Sequence, residues 1–424
     1  MPLMKRILNH ILIGLLAFCI YTCMYAIRKP YTAFTYSGFV FLGLPLKAWF
    51  VIAQILGYAL SKWIGIGFIG SLKKTNRLQV LLILLTVAAF PLLLLPYTGI
   101  EVQLLCMFIS GFPLGLVYGV VFSWIEGRRF TEFLGAILAC TFVFSSGFVK
   151  SAALFLSATM GWSEFQTPGY MALIALATAF PMAILINRTS DPDELDIQHR
   201  KLRLHADQAT RKSIFKDLGF PLVLWIIAYF MLTLIRDLRD NFSAEILKEQ
   251  GINDPGIFLS LEAPASLILV FLVSLTGIIN RHDNAIRVIN YLSMTGLLLL
   301  LVSTLSFLNG GMYATTWLFM VGLGCYVGYI LLNISLFDRV ISISGYNANA
   351  GFLLYIADAW GYLGSVGITV SRYLLPGPDS WTQWLGYITM ASSIVGLMAF
   401  IMASFFSSED LREKQEQLPL SATQ

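Results

Sequence analysis

The chain has 424 residues, 57% of them hydrophobic and only 12% charged, with a formal net charge of +4 at pH 7. Soluble domains carry about 25% charged residues, so this composition excludes a water-soluble enzyme. The basic residues recur in short loops between apolar runs, which marks membrane topology and not a nucleic-acid-binding face.

In chain order, "MPLMKRILNH" opens like a signal peptide, but the apolar run after it has no small-residue cleavage site and outlasts an h-region. It is expected to remain as the first helix. A bilayer crossing needs about 20 apolar residues, and the runs predict spans near 8–36, 45–67, 77–97, 101–125, 131–158 and 168–187. A second set follows near 218–245, 256–279, 285–308, 311–338, 346–374 and 381–406. The predicted organisation is a six-helix bundle over 1–187, a polar linker over 188–217, a second bundle over 218–406 and a tail over 407–424. Cys19, Cys23, Cys106, Cys140 and Cys325 all fall inside apolar runs without metal-ligand spacing, and read as small buried residues.

Loop charges set the orientation. Loops on one side read "SLKKTNR", "EGRRFTE", the linker, "NRHDNAIR" and "FDRV"; those on the other read "PYTGIE", "SATMGWSEFQTPG", "FLNGGMYA" and "LLPGPDSWTQ" and are nearly free of Lys and Arg. Both termini and the linker are therefore expected in the cytoplasm, and the chain in an inner membrane. Six spans, a cytoplasmic linker and six more spans resembles the layout of the major facilitator superfamily, so an all-α membrane protein of that fold is expected.

Several charges stand inside the apolar runs. "CMYAIRKPYTAF" places Arg28 and Lys29 near the end of the first run, and the apolar texture continues through "PYTAFTYSGFVFLGL", which predicts a helix running on past a proline kink. Arg28 lies 17 residues after Ile11, or about 25 Å of helix. An arginine at that depth is costly unless it lines water or meets an anion; the alternative is an interfacial anchor. The seventh span repeats the anomaly with Arg236, Asp237, Arg239 and Asp240. Arg236 and Asp240 are one turn apart and can pair, while Asp237 and Arg239 read as a self-neutralised cluster. One arginine from each half can converge on one anion, with planar forks suited to phosphate or carboxylate oxygens.

Lys62 lies in "GYALSKWIG" one turn after Tyr58, Glu262 in "FLSLEAPASL" and Asp358 in "LLYIADAWGYLG". The two carboxylates are either structural partners of neighbouring cations or proton carriers. Lys150 either snorkels outwards or joins the interior charges. Tyr21, Tyr25 and Arg28 share one helical face, which makes the tyrosines cavity-lining candidates. "GFPLGLVYG" and "GLGCYVGY" are expected to allow close helix approach.

Tyr21, Tyr25 and the Arg28–Lys29 pair form Y-x3-Y-x2-RK, which resembles the first-helix motif of the organophosphate:phosphate antiporters, the glycerol phosphate and hexose phosphate transporters among them. Tyr58 with Lys62, Arg236 followed by "FSAEILKE", Glu262 in "FLSLEAP" and Tyr362 in "GYLGS" resemble further stretches of that family in the same order. Where the family carries a fifth-helix histidine this chain has Phe144, and its loop after the second span lacks the family's Asp. The resemblance implies a secondary transporter of an anionic organic solute, a phosphorylated metabolite in exchange for phosphate. Arg28, Arg236, Lys62, Tyr25, Tyr58, Tyr21 and Tyr362 would bind it. Glu262, Asp358, Asp240 and Arg239 would be coupling or charge-pair residues.

A ligand sensor of the same fold and a proton-coupled carboxylate transporter are the competing readings. An intramembrane enzyme is disfavoured because no Ser–His pair, metal-ligand cluster or phosphate loop stands at membrane depth. The expected partners are a small anion and the bilayer, with no cofactor, metal or nucleic acid, and the expected state is a monomer.

Overall fold

The computed structural model describes residues 3–405 apart from 69–71, 127, 129–130, 190–207, 280, 345–350, 376 and 379. Most of the expected linker and all of the expected tail lie outside the described residues. The chain folds as long helices: α1 (Leu3–Arg28), α2 (Leu46–Phe68), α3 (Arg77–Ala89), α4 (Ile100–Phe122), α5 (Thr131–Met160) and α6 (Gln166–Asn187). The second set comprises α7 (Gln208–Glu249), α8 (Ile257–Gly277), α9 (His282–Leu308), α10 (Ala314–Leu331), α11 (Gly351–Leu374) and α12 (Trp381–Ser404). α3 runs on in 3-10 turns over Phe90–Tyr97, where Pro91 and Pro96 remove helical donors. α10 is carried on by a π turn at Leu332–Leu336 and a last helical stretch, Phe337–Ser344.

Eleven of these helices are long and apolar enough to cross a membrane among the described residues. The one outside that set is α2, which buries Lys47, Gln54 and Lys62. These polar residues look inward, while Leu56, Leu60, Trp63 and Ile64 of the same helix are exposed, so α2 keeps an apolar outer face as a member of the bundle.

The expected continuation of the first helix past Pro30 does not occur. α1 stops at Arg28, a 3-10 turn covers Pro30–Ala33, and a hairpin pairs β1 (Val40–Phe41) with β2 (Leu44–Pro45). Pro30 has no N–H to offer the helix, and after the 3-10 turn the chain passes into extended geometry at Phe34 (φ −107°, ψ 157°). The apolar texture of this stretch has a different cause. Tyr31 and Tyr36 are buried against protein, the Tyr36 ring lying 5.2 Å from Phe50 and 5.1 Å from Phe165. Similarly, α7 begins before its predicted span. A break at Gly219 (φ 51°), just before Pro221, joins an eleven-residue lead-in to the apolar part.

The ends of the bundle are named here by the chain termini: the distal end carries the connections after α1, α5 and α7, the proximal end those after α2, α4 and α6. Two seams bring the halves together, α5 against α8 and α2 against α11. Small residues permit close approach. A Cβ on Gly111 of α4 would stand 2.2 Å from the Gln54 carbonyl oxygen of α2, and one on Gly147 of α5 2.6 Å from the Phe258 carbonyl of α8. The glycine-rich stretches of α4 and α10 are thus packing features, as their composition suggests.

Candidate functional site

Helical periodicity builds the centre of the molecule. α1 presents Tyr21, Tyr25 and Arg28 on one face, and α2 presents Tyr58 and Lys62 one turn apart. α11 presents Tyr355, Asp358 and Tyr362 at spacings of three and four. All eight are buried or nearly so. α7 adds Tyr229 and Arg236, α10 adds Tyr329 and Asn333, α4 adds Tyr118 and α5 adds Phe142. The rings contact one another: Tyr58 meets Tyr362 at 4.8 Å, Tyr21 meets Tyr25 and Tyr118 at 5.7 Å, and Tyr229 meets Tyr329 at 4.9 Å.

Cations are threaded through this aromatic layer. The Arg28 guanidinium carbon stands 4.0 Å from the Tyr58 ring centre and 5.6 Å from that of Tyr362. Arg236 stands 4.2 Å from Tyr329 and 5.3 Å from Tyr362. Desolvated contacts of this kind contribute about 2 kcal/mol each, enough to hold a guanidinium but well short of its dehydration cost.

The partners of the two arginines differ. Arg236 donates from Nε and Nη2 to one oxygen of Asp237, at 2.9 and 2.7 Å, and Ser365 holds the other oxygen at 2.8 Å. Arg28 donates no hydrogen bond and forms no ion pair among the described residues. Its nitrogens are nonetheless not sealed away from solvent.

Lys62 crosses between the halves to Asp358, Nζ to Oδ2 at 3.0 Å, and lies 4.7 Å from the Tyr355 ring. Tyr229 donates its hydroxyl proton to Asp358 Oδ1 and accepts from Asn333 Nδ2 at 3.0 Å. The result is a continuous chain, Lys62–Asp358–Tyr229–Asn333.

A second group of charges closes the distal end. Lys29 from one half and Lys150 from α5 both reach Asp240 of α7 at 2.5 Å, where Ser146 also donates. Lys29 binds Asn241 as well, at 2.8 Å, and Lys47 pairs with Glu245 at 2.6 Å. Arg239 pairs with Glu262 at 2.6 Å, within the second half.

Residues 30–409 match the model of DUF5690, described as a family of unknown function. The chain belongs to this family. No curated protein matches its sequence significantly. Among solved structures, the protein is similar to a D-xylose–proton symporter, with a TM-score of 0.65 at 13% identity over 95% of this chain and 98% of that one. It is similar also to the inward-open xylose transporter XylE from E. coli, with a TM-score of 0.56 at 14% identity over 97% and 99% of the two chains. XylE bound to 6-bromo-6-deoxy-D-glucose gives 0.59 at 14% identity over the same shares. At such identities the likeness concerns the fold alone. This DUF5690 chain has the major facilitator fold.

All seven residues read from the sequence as substrate-binding lie in this aromatic layer or on its edge. The expected Arg236–Asp240 pair does not form. Arg236 folds back onto Asp237, while Asp240 is taken by two lysines of the other half. Asp237 and Arg239 do not neutralise each other, since each has a partner elsewhere. Lys150 is buried and ion-paired, not snorkelling. Phe144 is not the ring nearest the site: it packs on Phe18 at 5.7 Å, whereas Phe142 sits 5.8 Å from Tyr21 and 6.4 Å from Tyr329.

Sequence reasoning missed Tyr229, Tyr329, Asn333, Tyr118, Tyr355 and the Lys47–Glu245 pair. One signal was available. Tyr229 precedes Arg236 by seven residues, as Tyr21 precedes Arg28, so the two arginine helices carry the same tyrosine one heptad earlier.

Proposed function

We propose that this protein is a secondary transporter, not an enzyme, and carries a small anionic organic solute by alternating access. Arg28 and Arg236 form its anion seat. Tyr25, Tyr58, Tyr21, Tyr362 and Lys62 line that seat, and the distal end faces the outside of an inner membrane. The carrying observation is Arg28: a buried guanidinium at the joint of the halves, gripped by tyrosine faces and left without an anionic partner. A bare buried cation is expensive, and a bound anion removes that cost. Closure of the halves around the seat then depends on cargo, which favours transport over leak.

The likeness of Y-x3-Y-x2-RK to the organophosphate:phosphate antiporters puts phosphorylated metabolites and exchange with phosphate first. Proton coupling is the second reading, and Asp358 favours it. A carboxylate held by one ammonium and one tyrosine hydroxyl can release Lys62 when it takes a proton.

The test is uptake into proteoliposomes of phosphate esters and carboxylates, with internal phosphate or with an imposed proton gradient. Uptake that disappears in Arg28→Lys supports the seat. Binding without any uptake would point instead to a ligand sensor.

A further inference from the structure

The charges around the seat do not balance, and the imbalance is specific. In the aromatic layer stand three cations, Arg28, Arg236 and Lys62, and two carboxylates, Asp237 and Asp358. Arg236 is committed to Asp237, and Lys62 to Asp358. One layer towards the distal end, Lys29 and Lys150 are both committed to Asp240, with Asn241 and Ser243 filling further valences. Among the buried basic residues of the described structure, Arg28 alone makes no hydrogen bond or ion pair. The layer therefore offers one free positive charge.

A second feature constrains the rest of the ligand. Tyr229 gives its single hydroxyl proton to Asp358, so it can only accept from Asn333, which fixes the Asn333 amide with Nδ2 towards Tyr229. Asn333 Oδ1 is then left buried without any partner, as is the Tyr355 hydroxyl. Asn333 also lies in the π turn that interrupts α10. Such turns are frequent at functional sites. An orphaned buried acceptor calls for a donor, and the ligand is the group that can bring one.

We infer that the substrate is a singly charged organic anion bearing hydroxyl groups, with its charge on Arg28 and a hydroxyl on Asn333. This rests on the anion-transport reading above and narrows it. A doubly charged phosphate monoester would bring one more negative charge than the layer has free, since the surplus of Lys29 and Lys150 over Asp240 lies one layer away and is already held by Asp240, Asn241 and Ser243. A hydroxylated carboxylate and a phosphodiester share the required chemistry.

The experiment is binding to purified wild-type protein in detergent, at pH 7.5, of glucuronate, glycerophosphoglycerol, glucose, glucose 6-phosphate and hexanoate. Glucuronate or glycerophosphoglycerol should bind at least about tenfold tighter than glucose, hexanoate or glucose 6-phosphate. Affinity for glucose 6-phosphate should rise as pH falls from 7.5 to 5.5, because its second proton binds near pH 6 and leaves a monoanion. Glucose 6-phosphate binding tightest at pH 7.5, and weakening in Arg28→Lys, would overturn the single charge while sparing the seat. Hexanoate binding tighter than glucuronate would overturn the hydroxyl. Failure of every anion to outbind glucose, with Arg28→Lys unchanged, would overturn the anion-seat reading on which the inference rests.

Discussion

Arg28 and Arg236 share one ring: their guanidinium carbons lie 5.6 and 5.3 Å from the centre of Tyr362, one contributed by each half. They are not equivalent, because Asp237 occupies the fork of Arg236 and nothing occupies that of Arg28. Arg28→Lys should therefore weaken anion binding by about 1.5–3 kcal/mol, the scale of a charged hydrogen bond, or tenfold or more in affinity. Arg236→Lys should cost less in binding and more in thermal stability, since it leaves Asp237 poorly paired. Titration of both variants with one ligand, beside their melting curves, checks the asymmetry. Equal losses in affinity would return the two arginines to equal roles.

Lys62 and Asp358 join the halves through a buried pair. Breaking such a pair by removing one partner costs about 3–5 kcal/mol, whereas removing both with apolar replacements is often near neutral. Asp358→Asn should lower the melting temperature, and Lys62→Met in the same chain should recover most of the loss. In uptake, Asp358→Asn should abolish proton-driven accumulation and keep exchange if the proton is the driver. Retained accumulation would assign Asp358 to structure and leave phosphate exchange as the coupling.

Much of this was legible in the sequence because membrane burial writes clearly. A charge in an apolar run is rare, and Arg28, Lys62, Arg236, Glu262 and Asp358 could each be picked out for that reason alone. Their partners could not. Whether Arg236 turns to Asp237 or to Asp240 depends on which lysines arrive from the other half, a contact 90 residues away in the case of Lys150 and Asp240. The end of α1 was misread for a related reason. Tyr31 and Tyr36 are apolar enough to suggest lipid, but they are buried by Phe50 and Phe165, and hydropathy does not distinguish the two environments. The aromatic layer was half visible, since tyrosines are more often packing than site and only their spacing from the arginines marks them.

Glu164, in the distal loop between α5 and α6, accepts the Tyr36 backbone N–H at 3.1 Å. Burial raises its pKa above the usual 4.5, the hydrogen bond from Tyr36 opposing part of the rise. A raised carboxylate pKa means that the folded state holds the proton more tightly than the unfolded one. The stabilisation is full below the unfolded pKa and is lost as pH rises through the folded value. Glu164→Gln keeps the acceptor without the charge. It should melt higher than wild type at pH 7.5, and the difference should shrink towards zero as pH drops below about 4.5. A difference independent of pH would show that ionisation of Glu164 does not matter to the fold.

Asp240 is the point where the two halves are fastened at the distal end. Among the described residues it is the carboxylate that pairs with both Lys29 and Lys150, and the neighbouring Lys47–Glu245 pair reinforces the same closure. Replacing it with Asn keeps the size and an acceptor for Ser146 but leaves two buried ammoniums close together with no countercharge. Both ammoniums belong to the first half, so without Asp240's charge the attraction that fastened the halves is gone, and opening this end lets water solvate the two bare charges. Asp240→Asn should therefore shift the population towards a distally open state, whereas Glu262→Gln, whose partner Arg239 lies in its own half, should not. The readout is labelling of a single cysteine at Ala33, now buried in the distal closure, by an impermeant maleimide added outside cells expressing an otherwise cysteine-free chain. The reagent should react slowly with the parent and at least about tenfold faster in Asp240→Asn, matching a shift of about 1.4 kcal/mol. It should slow again when Lys150→Met is added, because one of the two bare charges is then gone. Fast labelling only from the cytoplasmic side would reverse the orientation, and unchanged labelling in folded Asp240→Asn would leave the closure to packing between α5 and α8.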